Sequence, residues 1–533
     1  MNRQLTVITG RVLTEIGLKR QKVPEVAECA GNGSIKGINY ETAHAGRLIV
    51  AADRLCPPVV FSVSTPLDTT AMTVSPTGMP HRRAFLRVGM PCLMGAGLSG
   101  AGSRMVQGAE SNRLEGLTHR RVLLLFLHGG PSQFEFWDPK PDAPADIRTV
   151  TGHIATRLPG VRFGSHFPQL ASRADRFCVV RSYVPGDANH DLKPMVSAHS
   201  SMASLGAAYN SIAGVQNPVT GLPSSIHLLP QAVGENRAAL PDFGTLEKQT
   251  APGPFAHSAS PFVPGGTGPA LANMLLRLPT DRWDDRKALL HRLDAESVAL
   301  DHLGQGGTDT PRERALRVLL ANSGRAFRID QEPARVLARY DTAGLTSEAA
   351  IGTKYNNYKH YGEHVRSLGK LLLLARRLLE HGAGLVSVNT AFVWDMHSDV
   401  NNAPVKMGMD WLAPPLDHAL SVLLDDMDER GMLDDTLVVV CGEMGRTPRV
   451  NAIGGRDHWG DLGPLLLAGA GVPRGVVHGQ STRDGGRPSS APVTNQHLVG
   501  QIWNTLFETQ KLRLRTELGP AWGRMLSYPK IFS

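Results

Sequence analysis

Residues 436–459 read TLVVVCGEMGRTPRVNAIGGRDHW. The run Leu437 to Cys441 is apolar and mostly β-branched, the composition of a strand buried on both faces. It breaks at Gly442 into a polar loop bearing Glu443 and Arg446, and then Arg456, Asp457 and His458. In open parallel α/β sheets, ligands bind just beyond the carboxyl ends of the strands. A carboxylate and an imidazole placed there are candidates for metal or acid–base chemistry.

Outward from this stretch, buried strands and amphipathic helices alternate. RVLLLFL, Arg121 to Leu127, is a buried strand that delivers His128 to a turn at Gly129-Gly130. A short helix over 167–176 leads to a strand at Phe177 to Val180, and GDANHD then gathers Asp187, Asn189 and His190. Residues 204–275 are rich in Gly, Pro, Ser and Ala and read as a loop-rich insertion, the composition of covering or binding elements. Leu, Ala and Arg at helical spacing predict helices within 283–302 and 311–341. Residues 362–381 are the clearest amphipathic helix. The strand LVSVN, Leu385 to Asn389, runs into WDMHSD, with Asp395, His397 and Asp399. A helix over Pro415 to Gly431 precedes the opening strand. Short strands at 465–468 and 476–477 and a helix over 494–506 follow it. The alternation predicts an α/β fold, a mainly parallel sheet with helices on both faces.

The position of the polar clusters carries the functional reading. His128, His190, Asp395, His397 and Glu443 all fall at carboxyl ends of predicted strands, with Asp457 and His458 in the loop beyond. An Asp-x-His pair in a loop suits two ligands to one cation, or a hydrogen-bonded pair without metal. Each remaining group has a plain structural reading as well: a loop histidine, an Arg–Glu pair, an Asp capping a turn. Their concentration at one rim favours metal or phosphate-type chemistry. No GxSxG elbow, P-loop or HExxH is present.

Charge excludes one class. The formal net charge is +8, but residues 1–110 hold 12 Lys/Arg against 7 Asp/Glu, and the rest are nearly balanced. With scattered arginines there is no nucleic-acid stripe. The five cysteines give no disulfide framework. Residues 1–78 carry no catalytic pattern and fit an extension upstream of the true start. In 79–110, Arg82-Arg83, Phe85-Leu86 and a mildly apolar run resemble a twin-arginine export signal. That resemblance implies the twin-arginine translocase as a partner and a periplasmic or cell-envelope location.

LFLHGGPSQFEFWDPKPDAP, the VRS and GDANH stretch, WDMHSD, GEMGRTP and GRDHWG occur in order over about 120–510. Together they resemble the bacterial family called domain of unknown function 1501, in the alkaline-phosphatase-like superfamily with sulfatases and phosphoglycerate mutases. The resemblance implies an alkaline-phosphatase-like domain over 115–530, preceded by an export leader. It implies a divalent metal (Zn, Ca or Mg) at Asp395, His397 and His458. It implies a second, altered site of His128 and Glu443 with a partner such as His190. The position of the superfamily's Ser, Thr or Cys nucleophile falls near Asp187 to His190, where none of these stands. The expected function is an exported hydrolase-like protein acting on a phosphate or sulfate ester, small or glycan-borne. His190, Glu443 and Arg446 would serve the chemistry, and Arg446 and Arg456 would bind the anion. The alternative is a non-catalytic relative that binds a sulfated or phosphorylated envelope glycan.

Overall fold

The computed structural model describes residues 39–43, 47–51, 59–62, 116–234, 247–265 and 323–532. The chain divides into two units, 1–94 and 95–533. In the first, Asn39–Ala43, Arg47–Ala51 and Val59–Ser62 form an antiparallel three-stranded sheet. The twin-arginine-like segment, the helices expected in 283–302 and the start of those expected in 311–341 lie outside the described residues.

The second unit is built on seven strands: β1 (Arg121–Phe126), β2 (Cys178–Val180), β3 (Ser225–Leu228), β4 (Leu385–Asn389), β5 (Thr436–Cys441), β6 (Leu465–Ala468) and β7 (Val476–His478). Their order across the sheet is β7-β2-β6-β5-β1-β4-β3. Every pairing is parallel except those of β6, which runs against β5 and β2. The expected mainly parallel sheet with helices is what the chain forms.

Successive side chains of a strand point to opposite faces. Leu123, Leu125, Val386, Val388, Val438 and Val440 therefore enter one core, and Val122, Leu124, Phe126, Leu437, Val439 and Cys441 the other. Two long helices, α2 (Tyr358–Glu380) and α3 (Val405–Glu429), cover the first face. The second is covered by α1 (Leu205–Ala213) and α4 (Asn495–Leu506), with Trp503 and Trp522 fully buried between elements. Among the described residues no helix is long and apolar enough to cross a membrane.

Two elements differ from the sequence reading. The stretch 204–275 contains α1 and the edge strand β3, so it contributes to the sheet rather than only covering it. Small residues hide α1: LGAAYNSIA buries almost its whole surface instead of showing an apolar stripe. Helix α3 begins ten residues before Pro415 and carries Pro414 and Pro415 inside it. A helical proline has no N–H for the carbonyl four residues back. Here the Trp411 carbonyl accepts instead from Thr346 Oγ1 at 2.8 Å.

Candidate metal centre

Five loops meet at the carboxyl rim, and the strands dictate which. β1, β2, β4 and β5 end there. β6 is antiparallel, so it starts there, and the segment before it brings in Arg456 to Trp459. Backbone hydrogen bonds extend the sheet past its ends: Leu127 N donates to the Cys441 carbonyl, and Thr390 N to that of Phe126. Gly445-Arg446 then pairs antiparallel with His458-Trp459, Arg446 opposite His458. Gly186 N donates to the Gly460 carbonyl at 3.0 Å. A Cβ on Gly460 would lie 2.5 Å from the backbone of Asp187, so a glycine is required for the His190 loop to close on His458. At Gly129, φ is +115° and a Cβ would lie 2.7 Å from the backbone nitrogens of Trp394 and Asp395. Only glycine tolerates both demands.

The loops bring His190, Asp395, His397 and His458 together, with one ligand atom of each within 4.8 Å of all the others. Asp395 Oδ1 is the hub. His397 Nε2 lies 2.9 Å from it, His458 Nε2 3.3 Å, His190 Nε2 3.5 Å and Arg446 Nη2 2.6 Å. The Nε2 atoms of His397 and His458 are 2.7 Å apart. Asp395 Oδ2 accepts from Asn402 Nδ2 at 3.2 Å, and Asn402 is held in turn by Asn357 at 2.8 Å. Asp399 supports this turn, accepting from the backbone N–H of Asn401 and Asn402.

Burial alone would raise the carboxyl of Asp395, but the three histidines and Arg446 hold it well below the usual carboxylate range. Burial likewise pulls His190 down, yet its bonds to Asp395 and Glu443 outweigh this and raise it to about 9. His397 is raised, chiefly by Asp395. Glu443 is fully buried. Its Oε1 lies 2.9 Å from His190 Nδ1 and accepts from Gly129 N at 2.9 Å, while Oε2 is buried without a hydrogen-bond partner. Burial would raise Glu443, but His190 and then His128 keep it below its ordinary value.

Four of the residues expected to act lie elsewhere or are occupied otherwise. His128 is outside the four-residue group. It is buried, edge-on to Phe392 at 4.9 Å, and burial lowers its basicity. The Phe392 ring also meets that of His190, with centroids 4.8 Å apart. Glu443 touches the group only through His190 and is a backing carboxylate in this geometry. Arg456, expected to bind an anion, is fully buried. Its guanidinium stacks on Phe134 at 4.3 Å, pairs with Glu135 at 3.1 Å and donates to the carbonyls of Ile147, Arg148, Thr447 and Pro448. Arg446 is 1% exposed and spends its N–H groups on Asp395, on the carbonyls of Gly129, Gly130, Trp394 and Arg456, and on His397 Nε2 at 3.3 Å. In this structure the donors of Arg456 all meet protein acceptors, and those of Arg446 do so too, one of them through His397 Nε2 inside the site. Asn402, Asn357 and Phe392 were missed by sequence reasoning. The only trace was an Asp-x-Asn-Asn turn, a common loop signal.

The donor set fits a cation. The imidazole nitrogens of His397 and His458 and one carboxylate oxygen of Asp395, with His190 Nε2 beside them, suit zinc or a similar nitrogen-accepting ion. Calcium and magnesium ask for more oxygens than Asp395 supplies.

A family model described as "Protein of unknown function (DUF1501)" matches residues 119–516. No curated protein matches the chain. Among solved structures, the phosphonate monoester hydrolase of Agrobacterium radiobacter is similar at 8% identity, over 72% of this chain and 73% of that one, with a TM-score of 0.30. A sulfatase from Pseudoalteromonas sp. is similar at 12% identity, over 75% and 74%, with a TM-score of 0.25. The alkaline phosphatase of the Antarctic bacterium TAB5 is similar at 12% identity, over 67% and 94%, with a TM-score of 0.23. At these scores none assigns a residue a role.

Proposed function

Because the chain belongs to the DUF1501 family, and because its site gathers metal-ligand side chains, we propose that it is a metal-dependent hydrolase-like protein acting on a phosphate or sulfate ester. The single observation that carries this reading is the convergence of His190, Asp395, His397 and His458 at one rim within 4.8 Å. Asp395, His397 and His458 hold the cation, which when bound supplies Lewis acidity toward an ester oxygen. His190 is the acid–base group. Glu443 holds its Nδ1, and in the cation-free fold Asp395 and then Glu443 raise His190 to about 9. In hydrolysis, water attacks phosphorus or sulfur, the ester bond to the leaving oxygen breaks, His190 Nε2 gives that oxygen its proton, and the proton released by the attacking water restores His190. No Ser, Thr or Cys stands in Asp187 to His190, which favours direct attack by water over a covalent intermediate. Arg446 acts through Asp395 by fixing its position, and Arg456 holds the loop on which His458 sits.

Location and export are part of the proposal. The twin-arginine-like segment at 79–110 supports a cell-envelope protein delivered by the twin-arginine translocase. Replacing Arg82-Arg83 by lysines then traps the chain in the cytoplasm, which fractionation reads directly.

Metal content and Zn²⁺ or Co²⁺ titration of the purified full chain test the central claim. One bound cation is expected, lost in His458→Ala, with turnover of some member of a panel of aryl phosphates and sulfates. A chain that binds no divalent cation overturns the proposal. The second reading, a non-catalytic relative that binds an anionic envelope glycan, is favoured by one observation: the guanidiniums expected to stabilise developing charge are spent on the protein. Cation and glycan binding without turnover across the panel would select it.

A further inference from the structure

Asp457 belongs to none of the ligand or acid–base roles above, and its side chain is 58% exposed. An exposed carboxylate ordinarily waves in solvent, yet this one is fixed from three directions. Its backbone N–H donates to Thr447 Oγ1 at 3.0 Å and its carbonyl accepts from Thr447 N at 2.9 Å. Its Oδ1 accepts from Asn451 Nδ2 at 3.2 Å. The same Asn451 nitrogen lies 3.2 Å from the His397 carbonyl, and Asn451 Oδ1 accepts from Gly455 N at 2.8 Å. One asparagine thus couples the loop of Asp457 to the loop of His397. What the carboxylate meets there is His397 Nδ1, at 3.1 Å, on the edge of the ring away from Asp395 and His458.

A neutral imidazole carries its proton on one nitrogen and its lone pair on the other, and the hydrogen bond made by one decides the state of the other. An ionised carboxylate only accepts. When a cation displaces the proton between His397 Nε2 and Asp395 Oδ1, Asp457 accepts from Nδ1–H and leaves the Nε2 lone pair to the cation. Resting on the cation-site reading above, we infer that Asp457 is a positioning residue: it sets the tautomer and ring orientation of His397 and thereby the affinity of the site for nitrogen-accepting cations. Glu443 also meets an imidazole at Nδ1, that of His190, from the buried side. The two carboxylates nevertheless answer to different conditions, because Asp457 is open to solvent and to salt, and Glu443 is not.

The test is a Co²⁺ titration of the full chain, followed by d–d absorption and by competition with a chromophoric chelator. Asp457→Ala is expected to weaken Co²⁺ binding about 10- to 100-fold, the usual effect of removing such a backing group, and to change the spectrum. Asp457→Asn keeps an acceptor oxygen but not the charge and should fall between. Asp461→Asn, an exposed carboxylate of the same loop paired with Arg487, should bind as the parent does. Imidazole ¹⁵N shifts of the Zn²⁺-loaded parent should show the His397 proton on Nδ1, and a second pattern or a broadened ring in Asp457→Ala. Circular dichroism checks that each variant folds. If Asp457→Ala does not fold, Asp457→Asn decides. A parent that binds Co²⁺ and a folded variant with the same affinity and spectrum overturn the role of Asp457 and leave the cation site standing. A parent that binds no cation overturns both.

Discussion

One oxygen, Asp395 Oδ1, faces three imidazole nitrogens and a guanidinium within 3.5 Å. Without a cation such a centre is held together by protons, and this fixes its pH behaviour. The value for His190 in the fold is about 9, above its ordinary 6.5. A raised value means stability fully present below about pH 6.5 and lost as the pH climbs through 9. That difference corresponds to about 3 kcal/mol at most, less in practice because His190 is partly open to solvent. Urea denaturation of metal-stripped protein should therefore show a lower midpoint at pH 10 than at pH 6.5. Cation binding replaces a proton at His397, so affinity should rise with pH and protons should be released. Calorimetry in two buffers of different ionisation enthalpy measures that release; equal heats after buffer correction would mean that no proton is displaced.

At the scale of elements, the site depends on how rigid pieces are joined. Helix α3 follows the loop of Asp395 and His397, and its prolines would leave carbonyls bare inside the core. Thr346 Oγ1 covers the Trp411 carbonyl. Thr346→Val keeps the shape, removes the donor, and should destabilise the protein by about 1–3 kcal/mol. Thermal unfolding at constant metal content would register this, and an unchanged Tm would show that the carbonyl finds another partner. The β1 turn is a second joint. Gly129→Ala meets both a positive φ and two backbone nitrogens. It should open the contact between the His128 and Asp395 loops, lowering cation affinity together with stability.

For the molecule as a whole, a sheet buried on both faces forms a stiff base from which loops of one rim face one another. Its single antiparallel strand, β6, adds a fifth loop to that rim, and with it His458. Deep charge pairs hold the loops down. Arg456→Met leaves Glu135 buried without its partner and should cost about 3–5 kcal/mol, read by chemical denaturation. If stability is instead unchanged and anion binding is lost, Arg456 is an anion ligand after all. Much of this organisation was legible beforehand. Apolar runs of five to seven residues can be buried strands, and a parallel sheet puts the polar segments after them at one rim, so Asp395, His397, His190 and His458 could be picked out before any coordinates. Helix α1 and strand β3 could not, because Ala, Gly and Ser leave no periodic contrast when an element is buried on all sides. The true start of α3 was hidden by prolines whose loss of hydrogen bonding is repaired by a residue some seventy positions away.

Local chemistry, then, determined the sheet, the rim and the kinds of side chain gathered on it, because strand burial and turn formation depend on residues adjacent in the chain. Tertiary structure alone decided what each polar group does. Arg446 and Arg456 have the chemistry of anion binders, yet carbonyls, carboxylates and the His397 ring, brought from distant loops, meet their donors. Asp457 reads as an ordinary turn residue until the fold sets His397 against it. A side chain's role follows from the partners that fill its hydrogen bonds, and those partners are chosen by the packing of loops far apart in sequence.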